Sequence, residues 1–194
     1  MRAARAGWPK IHLNATVRTK PAQDGISVDE VVPINEPGFN SRTSYVWVHH
    51  HAMPKLQALY SEMLAWAHLE WETLTARFDV PYLPNVTLGW DPSPRTVQSD
   101  RFDPRLGDPH TSIISAATPE NFGLALDNAR AFVEKTKVPL ATINAWNEWT
   151  EGSHLEPDTL HGAGHLKQIR RVFGSASPPE LSGASGPSPA GVSS

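Results

Sequence analysis

The chain has 194 residues, with 17 Lys and Arg against 20 Asp and Glu, and therefore a formal net charge of −3. A chain of this length predicts one domain with its own hydrophobic core. The charge balance lacks the basic face that nucleic acids and anionic membranes select, so we expect neither as a partner. The absence of cysteine excludes disulfides, thiolate metal sites and cysteine nucleophiles.

The two ends of the sequence indicate which part of the chain folds. No apolar run approaches the ~20 residues of a membrane span, and the first ten residues lack the apolar stretch of a secretory signal, so a cytoplasmic location is the default expectation. Residues 174–194 are dominated by Gly, Ser and Pro, a composition that cannot offset the entropy of ordering. We therefore predict a folded domain over residues 1–173 and a disordered tail over residues 174–194.

Apolar and amphipathic runs alternate along the chain. The patterns predict strands at 11–17, 44–48, 80–90, 112–116 and 140–146, and helices at 54–78, 118–135 and 164–173. Thr118 followed by Pro119 marks the start of the second helix, as an N-cap residue and a proline at the first helical position. The alternation predicts an α/β fold with about five parallel strands. A complete (β/α)8 barrel takes roughly 250 residues, so we expect either a smaller open sheet or part of a barrel.

The segment Asn144–Pro157, NAWNEWTEGSHLEP, follows the last predicted strand. Ligands of α/β folds bind at that end of the strands. Glu148 and Glu151 are three residues apart, and two facing carboxylates can divide the acid and base roles that glycoside hydrolysis needs. The flanking Asn147, Trp149 and Glu156 are candidate sugar-binding residues. The alternative is a solvated acidic loop with structural indoles.

A second candidate segment spans residues 84–95 and has the same arrangement of a strand followed by polar and aromatic residues. The Trp90 indole could stack on a sugar, and Asp91 and Arg95 could hold its hydroxyls. The alternative is an Asp91–Arg95 pair that braces a proline-rich loop.

The third candidate is the run SYVWVHHH at residues 44–51. In a strand, His49 and His51 share one face, which is a spacing that metal ligands use. A metal would also need a ligand such as Asp91 or His154 from elsewhere in the fold. Alternatively, Trp47 and His49 could bind a sugar directly. We expect the site to work without a metal or other cofactor.

The segment Asn144–Pro157 resembles the N-x-W-N-E-W-x-E-G-x-x-L-E-P signature of glycoside hydrolase family 99-like domains, which are related to endo-α-mannosidases and to proteins of polysaccharide biosynthesis clusters. VTLGWDPSPR at residues 86–95 is similar to the G-W-D-x-x-x-R segment of that family, and residues 162–173 match its closing helix. The resemblance is strong over about residues 80–173 and looser over residues 8–79. Thr150 stands where the mannosidases commonly have histidine, which argues against mannosidase specificity.

The resemblance implies a (β/α)8 barrel of which residues 1–173 hold only the later strands. It implies endo-acting cleavage of a glycosidic bond in a polysaccharide or glycan with retention of configuration, without a cofactor. Glu148 would assist the 2-hydroxyl of the sugar as an internal nucleophile, and Glu151 would serve as general acid and then base. In a partial barrel the first strand, 11–17, would leave an unpaired edge, which predicts self-association.

Two other functions remain open from the sequence. A metal-dependent hydrolase could be centred on His49 and His51. An inactive truncated barrel, or a carbohydrate-binding remnant of one, would carry the same signature without turnover.

Overall fold

A computed structural model describes residues 11–17, 19–22, 25–28, 38–49, 56–97, 101 and 109–174 of the chain. The strands are β1 (Asn14–Val17), β2 (Thr19–Ala22), β3 (Gly25–Val28), β4 (Ser41–Ser44), β5 (Gln57–Leu59), β6 (Tyr82–Leu83), β7 (Asn85–Thr87), β8 (Ile113–Ser115), β9 (Thr142–Asn144), β10 (Asn147–Glu148) and β11 (Ser153–His154). The α-helices are α1 (Tyr60–Arg77), α2 (Pro119–Thr136) and α3 (Gly164–Phe173). Short 3-10 turns occupy Trp47–His49, Ser93–Arg95 and Trp149–Glu151.

Parallel pairing dominates the sheets. Strands β1, β4 and β6 form a parallel sheet in that order, and β7 pairs in parallel with β9. Pro84 separates β6 from β7 because it has no N–H to donate, yet its carbonyl accepts the N–H of Thr142 at 2.8 Å. The segment from β6 to β7 therefore joins β4 on one side to β9 on the other. A second parallel pair, β5 with β8, is separate from this arrangement.

The sheet around β6 and β7 is strongly curved. The hydroxyls of Thr43 on β4 and Thr142 on β9 lie 3.0 Å apart, and the Asn85 amide donates to Thr142 at 3.1 Å. Strands two positions apart in a flat sheet are separated by about 9.5 Å, which side chains standing perpendicular to the sheet would not bridge. The polar face that carries these three residues is therefore concave.

Helices α1 and α2 pack against the strands through buried apolar faces. The residues buried on α1 include Tyr60, Met63, Trp71 and Leu74, and the Trp71 ring meets Phe132 of α2 edge-on at 5.5 Å. None of the described helices combines the length and apolar character that a bilayer span requires.

The start of α2 confirms the predicted cap. The Thr118 hydroxyl accepts the N–H of Asn121 at 3.3 Å, and Pro119 occupies the first helical position. The predicted strand at 112–116 and the predicted helix at 164–173 are also confirmed, as Ile113–Ser115 and Gly164–Phe173. These elements have strong local signals, so tertiary packing did not override them.

Other boundaries differ from the prediction. The strand predicted at 44–48 lies earlier, at Ser41–Ser44, and Trp47–His49 form a 3-10 turn. The helix predicted from residue 54 begins at Tyr60, because Gln57–Leu59 pair with β8 as a strand. The mixed α/β class with parallel strands is confirmed, whereas the described residues do not form a closed barrel.

Candidate functional site

The two candidate segments leave the sheet side by side. Thr87 and Asn144 are register partners at the ends of the parallel strands β7 and β9, and the N–H of the next residue, Leu88, donates to the Asn144 carbonyl at 3.1 Å. The chain after each strand therefore enters the same region of the molecule. We call residues 88–95 the first loop and residues 145–154 the second loop.

The loops touch through their backbones. The N–H of Asp91 donates to the Glu151 carbonyl at 2.7 Å. A Cβ atom on Gly89 would lie 2.9 Å from the Gly152 carbonyl oxygen, and one on Gly152 would lie 3.1 Å from the Asp91 Cβ. Gly152 also has φ of +60°, a conformation that glycine adopts without steric cost. Both glycines are thus needed for the close approach of the loops.

The second loop is a short hairpin that carries both glutamates. Strands β10 and β11 pair antiparallel, with Glu148 opposite Ser153. The Ser153 hydroxyl lies 2.6 Å from Asn144 Oδ1 and 2.9 Å from the Asn144 carbonyl oxygen, which closes the base of the hairpin. At its tip, the turn Trp149–Glu151 buries Glu151, which is 7% exposed, while Glu148 is half-buried.

An ion pair joins the two loops. Arg95 Nη2 lies 2.9 Å from Glu151 Oε1, and Arg95 Nε and Nη2 donate to the Thr150 hydroxyl at 3.1 and 3.0 Å. The guanidinium group is therefore held by two consecutive residues of the glutamate turn. Asp91 has a separate role in the first loop, since its Oδ1 accepts the N–H of Ser93 at 3.0 Å.

The Trp149 indole is held from two directions and is 45% exposed. Its Nε1 donates to Glu156 Oε2 at 2.6 Å, and the ring stacks on His154 at a centroid separation of 3.7 Å. His154 Nε2 in turn lies 3.2 Å from Asp158 Oδ2. An exposed indole with a fixed orientation is suited to stacking on the apolar face of a sugar ring.

Asp158 and His165 lie next to the signature and were not singled out in the sequence. The backbone N–H of His161 is the main cause that lowers the pKa of Asp158, and the His154 imidazole and the Leu160 N–H add to it. His165 is 7% exposed. Burial is the main cause that lowers the pKa of His165, and the neighbouring His161 lowers it further.

This cluster is also held by ring contacts. The His165 ring meets Phe122 at 5.5 Å and His161 at 5.3 Å, both edge-on. Asp158 and Glu120 are nearby carboxylates that oppose the lowering of the His165 pKa. The helix that carries His165 begins at Gly164, and His161 lies in the turn before it, so the H-x-x-x-H spacing gave no direct sign of the ring contact.

Two indoles proposed for sugar binding lie in the core instead. Trp47 and Trp90 are 1% and 2% exposed. The Trp47 indole donates to the Asn85 carbonyl at 2.9 Å, and the Trp90 indole donates to the Thr111 hydroxyl at 2.9 Å. Neither ring presents a face to a ligand in this structure. Asn147, by contrast, is exposed on β10.

The histidine run has no described metal site. His49 ends a 3-10 turn rather than lying in a strand, so the strand geometry expected for an H-x-H pair does not apply at this residue. The His49 side chain, His50 and His51 lie outside the described residues. Within the part of the chain that the structure describes, no three His, Asp or Glu residues are grouped so that they could hold a metal ion.

A family model described as "Glycosyltransferase WbsX" matches residues 2–169, which is most of the chain. The match confirms the resemblance predicted from Asn144–Pro157 to domains of the polysaccharide-biosynthesis type. No curated protein and no solved structure is significantly similar to the chain.

Proposed function

Because the chain belongs to the WbsX glycosyltransferase family, and so to a family of carbohydrate-active enzymes, we propose that it cleaves a glycosidic bond of a polysaccharide or glycan through Glu148 and Glu151. The observation that carries the proposal is the glutamate turn in the loop after β9, where Arg95 of the neighbouring loop lies 2.9 Å from Glu151. Ligands of α/β folds bind in the loops at the carboxyl ends of parallel strands, and these two loops join a buried carboxylate to a guanidinium there.

The two glutamates have different surroundings, which supports different roles. Glu151 is buried and ion-paired, whereas Glu148 is half-buried on the hairpin strand β10. We assign Glu148 to the 2-hydroxyl of the sugar, which would act as the internal nucleophile, and Glu151 to the leaving oxygen as general acid and then base. Asn147, Trp149 and Glu156 would bind the sugar, with Asp91 and Arg95 on the opposite loop.

Arg95 places a condition on this mechanism. A guanidinium at 2.9 Å favours the carboxylate form of its partner, whereas a general acid enters the reaction protonated. The proposed role therefore requires a bound sugar to draw Arg95 away from Glu151. Arg95 is 32% exposed at its side chain, so it can turn toward a ligand hydroxyl.

The concave polar face around Asn85 supports the further proposal that these strands form part of a (β/α)8 barrel, with the glutamates at its carboxyl end. The curvature at Thr43 and Thr142 is of the kind that barrel closure needs.

The test is turnover of the full chain on reducing-end-labelled polysaccharide fragments. Glu148→Gln and Glu151→Gln should each reduce turnover by at least ~100-fold, the lower end for general acid–base catalysis. Glu134→Gln is the matched control, since Glu134 pairs with Arg130 on the surface of α2. Near-normal turnover in both variants would contradict the assignment. Sugar binding without turnover in the wild-type chain would favour the carbohydrate-binding remnant.

Glycosyl transfer is a second candidate, because the family description names a glycosyltransferase. An intermediate formed with the 2-hydroxyl can be opened by water or by a hydroxyl group of another sugar. Turnover in ¹⁸O-labelled water distinguishes hydrolysis from glycosyl transfer. Hydrolysis places the label in the new reducing end, whereas transfer gives an elongated, unlabelled product.

A further inference from the structure

A cavity lies beside the first loop, with a volume of about 120 Å³. One wall is formed by Ser93 of the first loop and by Thr96 just after it. Arg101, His110 and Thr111 also line the cavity. Leu56 and Ile113 supply apolar lining. No residue of the glutamate turn lines it, so the cavity is distinct from the site around Glu151.

The polar groups of this cavity can donate hydrogen bonds. Arg101 and His110 line it, and the described part of the chain offers neither of them an ion pair or hydrogen bond. The Thr111 hydroxyl already accepts the Trp90 indole N–H at 2.9 Å, so its own proton is available to a ligand. No described acidic side chain lines the cavity.

The cavity is close to the candidate site along the chain. Ser93 in its wall and Arg95 at Glu151 belong to one 3-10 turn, and two residues of chain span at most about 7 Å. The cavity is therefore within reach of a glycan held at the glutamates. This relationship rests on the proposed function.

We infer that the cavity binds an anionic substituent of the glycan, a carboxylate or a phosphate, through the Arg101 guanidinium, with His110 and Thr111 as supporting donors. Guanidinium groups match both anions with two parallel hydrogen bonds. Leu56 and Ile113 in the same wall offer apolar contact to the sugar ring that carries the anion. The substrate class is thus an acidic rather than a neutral polysaccharide.

The experiment measures binding to the full chain by calorimetry, with a uronic-acid oligosaccharide, the same oligosaccharide after carboxyl reduction, a sugar 1-phosphate, and inorganic phosphate. Wild type should prefer the acidic oligosaccharide over its reduced form by about tenfold or more, the effect of one charge-assisted hydrogen bond. Arg101→Gln should abolish the preference, and Arg101→Lys should retain part of it. Arg170→Gln, at an exposed arginine of α3, should leave it unchanged.

Comparison of the four ligands and of the arginine variants separates the possible outcomes. Tighter binding of the sugar phosphate than of the uronate, lost in Arg101→Gln, would identify phosphate as the anion. Equal binding of acidic and reduced oligosaccharides, or no binding of any anionic probe, would overturn the inference, as would a preference that survives in Arg101→Gln. Because the readout is binding, an inactive chain with an Arg101-dependent preference would count against the proposed cleavage alone.

Discussion

Arg95 and Glu151 form an ion pair of 2.9 Å that joins the loop after β7 to the loop after β9. The glutamate side chain is 9% exposed and the arginine side chain 32% exposed, so the pair lies at the boundary between core and solvent. The same guanidinium donates to Thr150. One side chain of the first loop therefore fixes the orientation of the glutamate turn.

Removing the guanidinium should destabilise the fold. Arg95→Gln should lower the free energy of unfolding by about 1–3 kcal/mol, because a buried carboxylate loses a charged partner. Urea unfolding of Arg95→Gln, Glu151→Gln and the double variant forms a double-mutant cycle. The double variant should lose less than the sum of the single losses. Additive losses would mean that the pair contributes no coupling.

The two glutamates should respond differently to the leaving group. Substrates with an activated leaving group should partly restore turnover of Glu151→Gln, since departure of that group needs less protonation. They should not restore turnover of Glu148→Gln. A substrate without the 2-hydroxyl should fail with the wild-type chain. Rescue of both variants, or normal turnover without the 2-hydroxyl, would show that the roles are assigned wrongly.

Gly152 should tolerate a side chain less well than Gly162. Both have left-handed backbones, with φ of +60° and +54°. Only at Gly152 would a Cβ meet a neighbour, Asp91, at 3.1 Å. Gly162→Ala should therefore cost about 1 kcal/mol from strain alone, and Gly152→Ala about 2–3 kcal/mol. Thermal unfolding measures the stability of both variants. Equal losses of stability would mean that the loops move apart at little cost to accommodate the added Cβ atom.

Acidification should destabilise the fold in two steps. The pKa of His165 is lowered in the folded chain, mainly by burial, so the unfolded chain binds more protons and stability falls as pH drops below about 6.5. The pKa of Asp158 is lowered by the hydrogen bond from the His161 N–H. Its stabilising contribution is complete above the unfolded value of about 3.9 and is lost as pH falls through the folded pKa.

Urea unfolding from pH 7.5 down to about pH 2 follows both steps. His165→Leu should remove the first step and leave the second. His68→Leu is the control, because His68 is exposed on α1. An unchanged loss of stability between pH 7.5 and 5.5 in His165→Leu would assign the first step to another group.

The edge of the sheet should promote self-association. Within the described residues, β1 pairs with β4 alone and forms one edge of its sheet. Unpaired edges template further pairing. Light scattering should show dimers or larger species, and Thr16→Lys, at an exposed position of β1, should reduce them. Ser61→Lys on α1 is the control. A monomer at high concentration for the wild-type chain would contradict the prediction.

Local chemistry explains what could be predicted from the sequence. Thr118 and Pro119 define the start of α2 through groups within three residues of each other, so no distant contact was needed. The second loop was likewise recognisable, because its acidic and aromatic residues are contiguous.

Long-range contacts explain what could not be predicted. Trp47 was a candidate sugar platform, but its indole donates to the carbonyl of Asn85, which is 38 positions away. Arg95 and Glu151 were each singled out, yet nothing in the spacing of two residues 56 positions apart indicates an ion pair. Glu70 is buried on α1, where it accepts a hydrogen bond from the Ser44 hydroxyl. A helical glutamate gives no sign of that burial in the sequence.

The contact between Gly89 and Gly152 determines how this site can move. No side chain separates the loops there, and the N–H of Asp91 donates to the Glu151 carbonyl. Neither loop can therefore swing away without breaking the backbone hydrogen bond between them. Hinged opening is accordingly costly, and ligand entry relies on rotamer changes of exposed side chains, which occur in picoseconds to nanoseconds. The site thus behaves as a preorganised frame in which side chains rather than loops rearrange, and the amide hydrogen of Asp91 should exchange with solvent as slowly as those of the adjoining strands.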